Sequence, residues 1–440
     1  MSRPKKDVKP IREAVLQSKV RGLKDTLPEE YKYWDLVTKK AVELARVYSF
    51  RRLDLPLVEY QALFEKAAGK GSELVSEELA LLTTKTGEKI AIRSDALPGL
   101  VRSYLEHGLL GLVPLSKTFW LGPVLVFESS QAGRPRQFNQ ASYDIIGDFG
   151  PAADAQLIML AYNFCKELQL EAEVQINSVG CSECRPAYLK ALNESFKERG
   201  KKTKLCNECK KQLLKNPLKI FDCREEDCID VTSDLPPIVD HLCDTCQKQF
   251  ERVLEYLDNL SIPYNLNTRL FAIRGYDFWQ RTVFEVMPAG ETRRHLALAA
   301  GGNYAALVDS LGSKVPAASG VAIDIERVIS RIRSSNLPVE APEKVDIFLA
   351  QVSEQAKQKC MILFEELRKA GFKCREHLTS DALKVQLEEA ERVKTRFTLI
   401  LGQKELMDNT ILLRDMESGV QETIDMRKLA TELDKRLNIS

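Results

Sequence analysis

Hydrophobic positions in the first third of the chain follow two spacings, which predict helices alternating with strands. Between Leu27 and Tyr48 apolar residues recur every three or four positions, as on one face of a helix. The next segment, 51–60 (RRLDLPLVEY), has the profile of a strand. Because Pro56 lacks a backbone donor, we expect this strand at a sheet edge or at a subunit contact. Another strand is predicted over 88–95.

A β-hairpin is predicted over Gly122–Gln140. Its apolar run, Val124–Phe127, ends at Glu128, and the chain returns through Phe138 after a loop of serine, glycine and arginine residues. This composition is typical of a loop that binds an anion. The outgoing strand carries no cation of its own, since Val126 lies at its centre.

The remaining pattern divides the chain into two parts. Segments 269–286, 296–308 and 320–332 read as a strand, a strand–turn–helix and a strand running into a helix. A polar, proline-bearing linker follows over 335–344. From 345 to 440 strands alternate with helices, which predicts a small α/β domain with a largely parallel sheet.

Composition narrows the class of protein. Charged residues make up 29% and hydrophobic residues 44% of the 440 positions, which is typical of a soluble globular protein. The net charge is +1, so a polyanion would have to meet local basic patches. No run of eighteen apolar residues is present, which excludes a conventional membrane span. The basic N-terminal arm, 1–20, has no apolar segment behind it, and we expect a frayed arm on a cytoplasmic protein.

Eight cysteines form four close pairs, three with C-x2-C spacing and one with C-x4-C spacing. Eight thiolates suit two closed, structural zinc sites, although chance pairing of buried thiols is the alternative. The order of the pairs does not fix which of them share an ion. The paired residues are Cys181, Cys184, Cys206, Cys209, Cys223, Cys228, Cys243 and Cys246.

A lysine-rich segment lies among these cysteines. Seven lysines and one glutamate, Glu208, fall between Lys201 and Lys219. Such a run is usually a solvated face, but beside a metal-fixed turn it also suits contact with phosphates.

Taken together, these motifs resemble those of class II aminoacyl-tRNA synthetases, and within them the histidyl-tRNA synthetase family. Segment 51–64 resembles motif 1, the hairpin resembles motif 2, and 320–328 resembles motif 3. Segments 271–286 and 299–308 resemble the histidine signatures RGLDYY…RTVFE and AGGRYDGL. The likeness runs from Arg21 to the C-terminus.

The resemblance implies an α+β core, with an antiparallel sheet flanked by helices, a zinc-type insertion and an anticodon-binding-like α/β domain. It also implies a homodimer that binds tRNA, ATP, Mg²⁺ and histidine. The expected domains are the arm 1–20, the core 21–178 and 264–334, the insertion 179–263, the linker 335–344 and the C-terminal domain 345–440.

Site residues carry over position by position from the family's motifs. Arg274 stands at the place of the catalytic arginine of the histidine signature. The expected ATP-binding residues are Glu128, Arg134, Arg136, Phe138 (stacked on adenine) and Arg327. The expected histidine-binding residues are Asp95, Gln140, Asp144, Phe278, Trp279 and Tyr304.

Several family positions are changed in this chain. Val126 replaces the motif 2 arginine, a loss that typically costs about 10²–10³ in rate. The Arg-Pro-Glu-Gly-Thr run is RSDAL here, residues 93–97, and Asn303 replaces the arginine of GGRYDGL. Asp95 and Asp144 stand where glutamates are usual. Ser129 and its neighbour Ser130 replace an arginine–proline pair.

Three hypotheses follow from these departures. The first is a working histidine–tRNA ligase in which Arg93 or Arg274 compensates for Val126. The second is a catalytically impaired paralogue that acts as a tRNA- or amino-acid-binding regulatory dimer. The third is a zinc-dependent nucleic-acid binder whose affinity resides in 201–219. The alternative for Arg274 and Arg327 is that they only form core salt bridges, and for Gln140 and Asp144 that they are inner polar residues of the hairpin.

Overall fold

The computed structural model describes residues 19–69, 72, 74–109, 115–127, 136–147, 150–197, 201–271, 276, 278–291, 293–339, 345–377 and 379–437. The chain forms two compact units, Met1–Val339 and Glu340–Ser440. In the described part of the chain, no helix is both long and apolar enough to cross a lipid bilayer.

The first unit contains strands and helices in alternation. Its strands are β1 Arg51–Arg52, β2 Val58–Tyr60, β3 Ala80–Thr83, β4 Lys89–Ile92, β5 Leu115–Leu125, β6 Gln137–Gly147, β7 Ala172–Ser178, β8 Tyr264–Leu266, β9 Gln280–Pro288, β10 Ala299–Asn303 and β11 Ala317–Asp324. Its helices are α1 Tyr31–Val47, α2 Gln61–Ala68, α3 Leu97–Glu106, α4 Pro151–Glu167, α5 Cys184–Ser195, α6 Lys201–Lys204, α7 Asn207–Lys215, α8 Glu226–Ser233, α9 Asp244–Asn259, α10 Ala305–Ser310 and α11 Ile325–Ser334.

The described strands form one large sheet in the order β1-β5-β6-β11-β10-β9-β7-β8. All its pairings are antiparallel except β1 with β5 and β7 with β8 at the two edges. This arrangement and the flanking helices confirm the expected class II fold. Strands β2, β4 and β3 form a separate small antiparallel sheet.

One face of the large sheet is covered by helices. Because side chains alternate along a strand, Ala141, Tyr143 and Ile145 of β6 share this face. They are buried in a core with residues of α1, α4, α9 and α11. The Tyr143 hydroxyl donates to the carbonyl of Ala41 in α1 at 2.8 Å, which satisfies the buried polar atom. The opposite face is partly covered by α3, whose Tyr104 hydroxyl forms hydrogen bonds with Ser116 and Thr118 of β5.

The prediction of one continuous strand over 51–60 is wrong. Arg51–Arg52 pairs with β5, whereas Val58–Tyr60 belongs to the small sheet. Between them the carbonyls of Leu55 and Pro56 accept hydrogen bonds from Arg93 at 2.8 Å instead of pairing in a ladder. Proline has no N–H to continue the pairing, so the chain leaves one sheet here and joins another.

Helix α1 follows the predicted apolar spacing with one exception. Val37, Ala41 and Leu44 are fully or almost fully buried, but Tyr31 is 52% exposed at the first turn of the helix. The buried face of α1 therefore begins after Tyr31, later in the helix than the apolar spacing predicted.

The second unit has its own sheet and core. Its strands are β12 Ile347–Gln351, β13 Cys374–Glu376, β14 Phe397–Leu401, β15 Thr410–Asp415 and β16 Gln421–Asp425, in the order β13-β12-β14-β15-β16. Its helices are α12 Glu354–Lys369, α13 Leu383–Arg392, α14 Gln403–Asp408 and α15 Leu429–Leu437. The sheet is less parallel than predicted, because β15 and β16 form an antiparallel hairpin at its edge.

Candidate active site and metal centres

The face of the large sheet that packs against α3 carries a row of side chains from β6. Phe138, Gln140, Ser142 and Asp144 lie at alternate positions and therefore point to this face. On the adjacent strand β11, small residues oppose the row: Gly320 pairs with Asp144, and Ala322 pairs with Ser142. The row is polar towards Asp144 and apolar towards Phe138, so the two ends are suited to different ligands.

The carboxylate of Asp144 can occupy its position only because Gly320 has no side chain. A Cβ atom on Gly320 would lie 2.2 Å from Asp144 Oδ1 and 3.1 Å from Tyr304 Cε1, too close for either contact. Asp144 is 1% exposed, and burial raises its pKa to about 7, although the Ser142 hydroxyl donates to Oδ2 at 2.7 Å. The nearby Asp95 raises the pKa further.

Several buried polar atoms of this end have no hydrogen bond to any described residue. They are Gln140 Nε2, Gln140 Oε1, Asp144 Oδ1 and Tyr304 Oη. The Tyr304 hydroxyl is near enough to Asp144 to lower its pKa, but it makes no hydrogen bond of standard geometry there. Because an unpaired buried polar group costs about 1–3 kcal/mol, such a cluster is typical of a pocket for a polar ligand.

Aromatic and acidic residues complete the pocket. A cavity at this end is lined by Asp95, Leu97, Ser142, Trp279 and Gly320 among others. Asp95 Oδ1 accepts a hydrogen bond from the Leu97 N–H at 2.9 Å, which fixes the carboxylate at the start of α3. All five of the following residues are buried: Asp95, Gln140, Asp144, Trp279 and Tyr304.

Phe278 and its neighbours form the aromatic side of the pocket. The ring centroids of Phe278 and Trp279 are 5.0 Å apart, and those of Phe278 and Tyr276 are 4.8 Å apart. The carbonyl of Trp279 accepts a hydrogen bond from Arg185 Nη2 at 2.5 Å.

The other end of the β6 row is an apolar cluster. Val126, the residue at the place of the motif 2 arginine, is 8% exposed and packs with Trp120, Val124, Phe138 and Ala96. Phe138, expected to stack on adenine, is 5% exposed in the same cluster. A guanidinium at position 126 would therefore enter an apolar environment.

Arg93, one of the two residues expected to compensate for Val126, is held by other parts of the protein. Its guanidinium donates to the carbonyls of Leu55 and Pro56 at 2.8 Å and of Pro123 at 2.9 Å. It also stacks on the Trp120 ring, with 4.3 Å between Cζ and the ring centroid. Burial lowers the pKa of Arg93 to about 10. This arginine anchors the irregular segment between β1 and β2.

The motif 3 arginine is also engaged by the protein. Arg327 Nε forms an ion pair with Asp324 Oδ2 at 3.0 Å, and Arg327 Nη1 donates to the carbonyl of Ala297 at 2.9 Å. Its neighbour Glu326 accepts two hydrogen bonds from Asn139 of β6, at 2.7 and 3.0 Å. Burial nevertheless raises the pKa of Glu326 to about 7.

Arg136 lies at the start of β6 against the N-terminal segment. Its Nη1 donates to the carbonyl of Arg21 at 3.1 Å, and its backbone N–H donates to the carbonyl of Gly22 at 2.8 Å. Its guanidinium stacks on the Phe127 ring. Three other expected site residues, Arg274, Glu128 and Arg134, lie outside the described residues, as do Ser129 and Ser130.

Asn303, at the place of the arginine of GGRYDGL, lies on the helix-covered face. It pairs with Ser319 in the sheet, and its amide donates to the Ser319 hydroxyl at 3.3 Å. That hydroxyl donates to Asp154 of α4 at 2.6 Å. Burial raises the pKa of Asp154 to about 6. The change to asparagine therefore alters a buried network behind the sheet, away from the pocket.

Other residues of the site were not anticipated from sequence. Ser142 and Gly320 shape the Asp144 end, and Trp120 supports the apolar end. The signal for Ser142 was its spacing, since it lies two residues from both Gln140 and Asp144 on the same strand.

The eight paired cysteines form two quartets. The outer quartet is Cys181, Cys184, Cys243 and Cys246, and the inner quartet is Cys206, Cys209, Cys223 and Cys228. The outer quartet joins the two ends of the insertion, and the inner one lies within it. The sulfur atoms of each quartet all lie within 4.8 Å of one another.

The geometry of both quartets fits a tetrahedral zinc ion. Zn–S bonds of about 2.3 Å place sulfurs about 3.8 Å apart. The Cys181–Cys184 sulfurs are 3.7 Å apart, and those of Cys206 and Cys223 are 3.9 Å apart. Backbone N–H groups also point at sulfur: Cys243 N lies 3.2 Å from Cys184 Sγ, which favours a thiolate.

The remaining three cysteines are not part of these quartets. Cys165 and Cys360 are buried, and Cys374 is half-buried. Burial raises the pKa of Cys165, Cys360 and Cys374 to about 12, as expected for core thiols without a metal.

Comparisons with known proteins agree with the fold and the motifs. A sequence model of the family described as "Histidyl-tRNA synthetase" matches residues 22–212, and one described as "Anticodon binding domain" matches 346–436. The histidine–tRNA ligase of Dehalococcoides mccartyi is 33% identical over 418 residues, covering 95% of this chain and 99% of the relative. That of Halothermothrix orenii is 34% identical over 419 residues, covering 94% and 98%.

A solved structure extends the likeness to three dimensions. Apo histidyl-tRNA synthetase of Staphylococcus aureus has a TM-score of 0.77 and 27% sequence identity, and the match covers 94% of this chain and 99% of that one. Two relatives above 30% identity over nearly their full length, a matching catalytic-domain model and the class II fold together establish the family. The chain belongs to the histidyl-tRNA synthetase family.

Proposed function

We propose that this chain is a catalytically impaired member of its family that binds histidine without efficiently activating it. In this proposal it acts as an amino-acid- and tRNA-binding regulatory dimer in the cytoplasm. The observation that carries the proposal is Val126, buried in an apolar cluster at the place where the family has an arginine.

The chemistry of adenylate formation explains why this position matters. The attack of a carboxylate on the α-phosphate of ATP brings negative charges together, so fixed cations must be in place before reaction. The family implies ATP and Mg²⁺, but the described residues around Val126 do not fit a phosphate clamp. Arg93 is bound to three carbonyls, and Arg327 is paired with Asp324.

The other end of the site retains what a cationic amino acid requires. Asp144 and Asp95 offer carboxylates, Gln140 offers both halves of an amide, and Tyr304 offers a hydroxyl. The α-ammonium and imidazole of histidine supply donors and positive charge in return. These groups support histidine binding, and the shorter side chain of Asp144 would place the ligand closer to β6 than a glutamate would.

The dimer is supported by an exposed apolar face on the small sheet. Val58, Tyr60 and Leu82 share one face of β2, β4 and β3 and are 39%, 61% and 48% exposed. A second copy of the chain could cover these side chains. Structural Zn²⁺ in both cysteine quartets would order the insertion, and the exposed lysines of α7, Lys211 and Lys215, support contact with tRNA phosphates.

Two assays on the full-length chain test the proposal together. Isothermal titration with histidine measures binding, and histidine-dependent ATP–pyrophosphate exchange measures activation, with the S. aureus synthetase as the active control. We expect saturable histidine binding and an exchange rate at least about 10²-fold below the control.

Exchange within about tenfold of the control would instead establish a working ligase in which a group outside the described residues supplies the cation. Absence of histidine binding would contradict the other part of the proposal, that the chain binds this amino acid. If tRNA affinity then depended mainly on the lysines of 201–219, with a steep salt dependence, the nucleic-acid-binding hypothesis would replace it.

A further inference from the structure

The outer quartet lies beside the strand that carries the aromatic side of the pocket. Immediately before Cys181, the Val179 N–H donates to the carbonyl of Arg281 at 2.7 Å, and the Arg281 N–H donates to the carbonyl of Gly180 at 2.8 Å. These bonds extend the β7–β9 pairing beyond Ser178. The chain that enters the quartet is therefore hydrogen-bonded to the chain that leaves the pocket.

A side chain makes a second connection. Arg185 follows Cys184 at the start of α5, and its Nη2 donates to the carbonyl of Trp279 at 2.5 Å. The Arg185 backbone N–H donates to the carbonyl of Cys181 at 3.1 Å, within the knuckle formed by the first cysteine pair. A charged donor on a rigid knuckle thus holds the backbone of a residue that lines the pocket.

Gly180 allows the chain that pairs with Arg281 to lie directly against the first cysteine pair. Its φ of +61° is in the left-handed region, and a Cβ atom there would lie 2.6 Å from Cys184 Cβ and 3.2 Å from Cys184 Sγ. The quartet can close only because this position has no side chain. Closure of the quartet consequently fixes the residue whose carbonyl pairs with Arg281.

We propose that the outer quartet, through Arg185, positions the Trp279 segment of the pocket, so that metal in this quartet controls the affinity of the site for its amino acid. The ligand identity rests on the proposed function, but the positioning does not. Arg185 is a positioning residue, since it contacts the backbone of Trp279 and not the space where a ligand would lie.

The inner quartet provides a comparison within the same insertion. One of its links to the core is Arg269, which donates to the carbonyls of Phe221 and Cys223 at 3.2 and 3.0 Å. Another is the ion pair of Asp222 with Arg294, which also pairs with Glu285 of β9. Arg269 lies before Leu270 in the chain, and its contact does not involve Trp279. Loss of the inner metal should therefore affect the pocket less than loss of the outer metal.

The test uses the full-length chain loaded with zinc and three variants. Arg185→Met removes the guanidinium, Arg185→Lys restores a single donor, and Lys190→Met is the matched control on the exposed side of the same helix. Each protein is checked for zinc content, for histidine affinity by titration calorimetry, and for hydrogen exchange in peptides covering 278–283.

We expect Arg185→Met to keep the zinc content of the parent, to bind histidine about tenfold more weakly and to exchange amide hydrogens in 278–283 at least about tenfold faster. Arg185→Lys should fall between Arg185→Met and the parent, and Lys190→Met should match the parent. Serine substitution of Cys181 and Cys184 should give the same exchange change, and substitution of Cys206 and Cys209 a smaller one.

Unchanged exchange in 278–283 for Arg185→Met would overturn the positioning role, whatever the ligand. Faster hydrogen exchange with unchanged histidine affinity would contradict the proposal that the outer quartet controls this affinity. If the parent itself binds no histidine, the proposed function fails, while the exchange data still decide whether Arg185 positions Trp279.

Discussion

The two ends of the β6 row differ in how completely the protein satisfies its own groups. At the polar end, Gln140, Asp144 and Tyr304 bury atoms that have no hydrogen bond to the described residues. At the apolar end, Val126 and Phe138 are packed against Trp120 and Val124, and Arg93, which stacks on Trp120, is bound to three carbonyls. Among the described residues, the polar end leaves several buried atoms without a hydrogen bond, whereas at the apolar end Arg136 Nε, beside Val126, is left so.

This difference separates binding from catalysis. Unpaired buried polar groups destabilise a fold, so they persist where a ligand provides the missing partners. A phosphate clamp needs the reverse, a charge kept in place before the ligand arrives. The proposed function requires the first condition to hold in this chain and the second to fail, and the predictions below test each condition separately.

The largest effect is expected from Asp144→Asn, which tests the polar end. Removal of a buried charge that pairs with a cationic ligand costs about 2–5 kcal/mol. We therefore expect histidine affinity, measured by calorimetry, to fall by a factor of about 30 to several thousand.

Asp309→Asn, an exposed aspartate on α10, is the control and should bind as the parent does. A histidine dissociation constant for Asp144→Asn within threefold of the parent would place the ligand elsewhere, and the comparison between the two ends would lose its functional meaning.

The next effect concerns the apolar end. Val126→Arg restores the family residue but places a guanidinium among Trp120, Val124 and Phe138. We expect the free energy of unfolding in urea to fall by about 2–4 kcal/mol, because a charge is buried without a partner. Pyrophosphate exchange should not recover.

Val126→Ile, which keeps the cluster apolar, should change the free energy of unfolding by less than about 1.5 kcal/mol. Recovery of exchange in Val126→Arg to within tenfold of an active synthetase would show that a single substitution separates this chain from a ligase.

Much of this arrangement could be predicted from the sequence because it depends on local periodicity. The resemblance to the family's motifs named Phe138, Gln140 and Asp144, whose even spacing puts them on one face of β6, and the cysteine spacing predicted two metal sites. The quartet membership could not be predicted, since four pairs can combine in several ways and only the fold brings 181–184 next to 243–246.

Other features depended on contacts that no local pattern encodes. Asn303 was counted among the changed family positions, but the register of β10 with β11 turns it towards Ser319 and Asp154 behind the sheet. The edge strand Gln421–Asp425 was missed because its side chains are mostly exposed and polar. The role of Arg93 could not be predicted either, because it depends on the interruption of the strand at Pro56, which leaves the carbonyls of Leu55 and Pro56 for Arg93 to bind.

A third prediction uses the pH dependence of stability in the ligand-free chain. The pKa of Asp144 is about 7 in the fold, against an ordinary value of 3.8. Between these values the unfolded chain has released the proton and the folded chain has kept it, so this group lowers stability as pH rises, by at most about 1.4 kcal/mol per pH unit. The loss is complete above pH 7.

Asp144→Asn lacks this contribution. Relative to the parent, its free energy of unfolding should therefore rise from pH 4 to pH 7 and then stay constant, as measured by urea titrations at each pH. Asp154 and Glu326, whose pKa values burial also raises, are present in both proteins and cancel in the difference. Parallel curves for the two proteins would mean that Asp144 is ionised in the free pocket.

The smallest effect is expected from Phe138→Leu, which asks whether the apolar end is only core. If Phe138 serves the cluster with Trp120, Val124 and Val126, the change should lower the free energy of unfolding by about 1 kcal/mol, because volume is roughly kept. Histidine affinity should stay the same, since Gln140 and Asp144 lie further along the strand. A loss of ATP affinity in equilibrium dialysis, at unchanged stability, would instead assign Phe138 to a nucleotide. The apolar end would then be the nucleotide-binding part of the site, and valine at position 126 would be compatible with ATP binding.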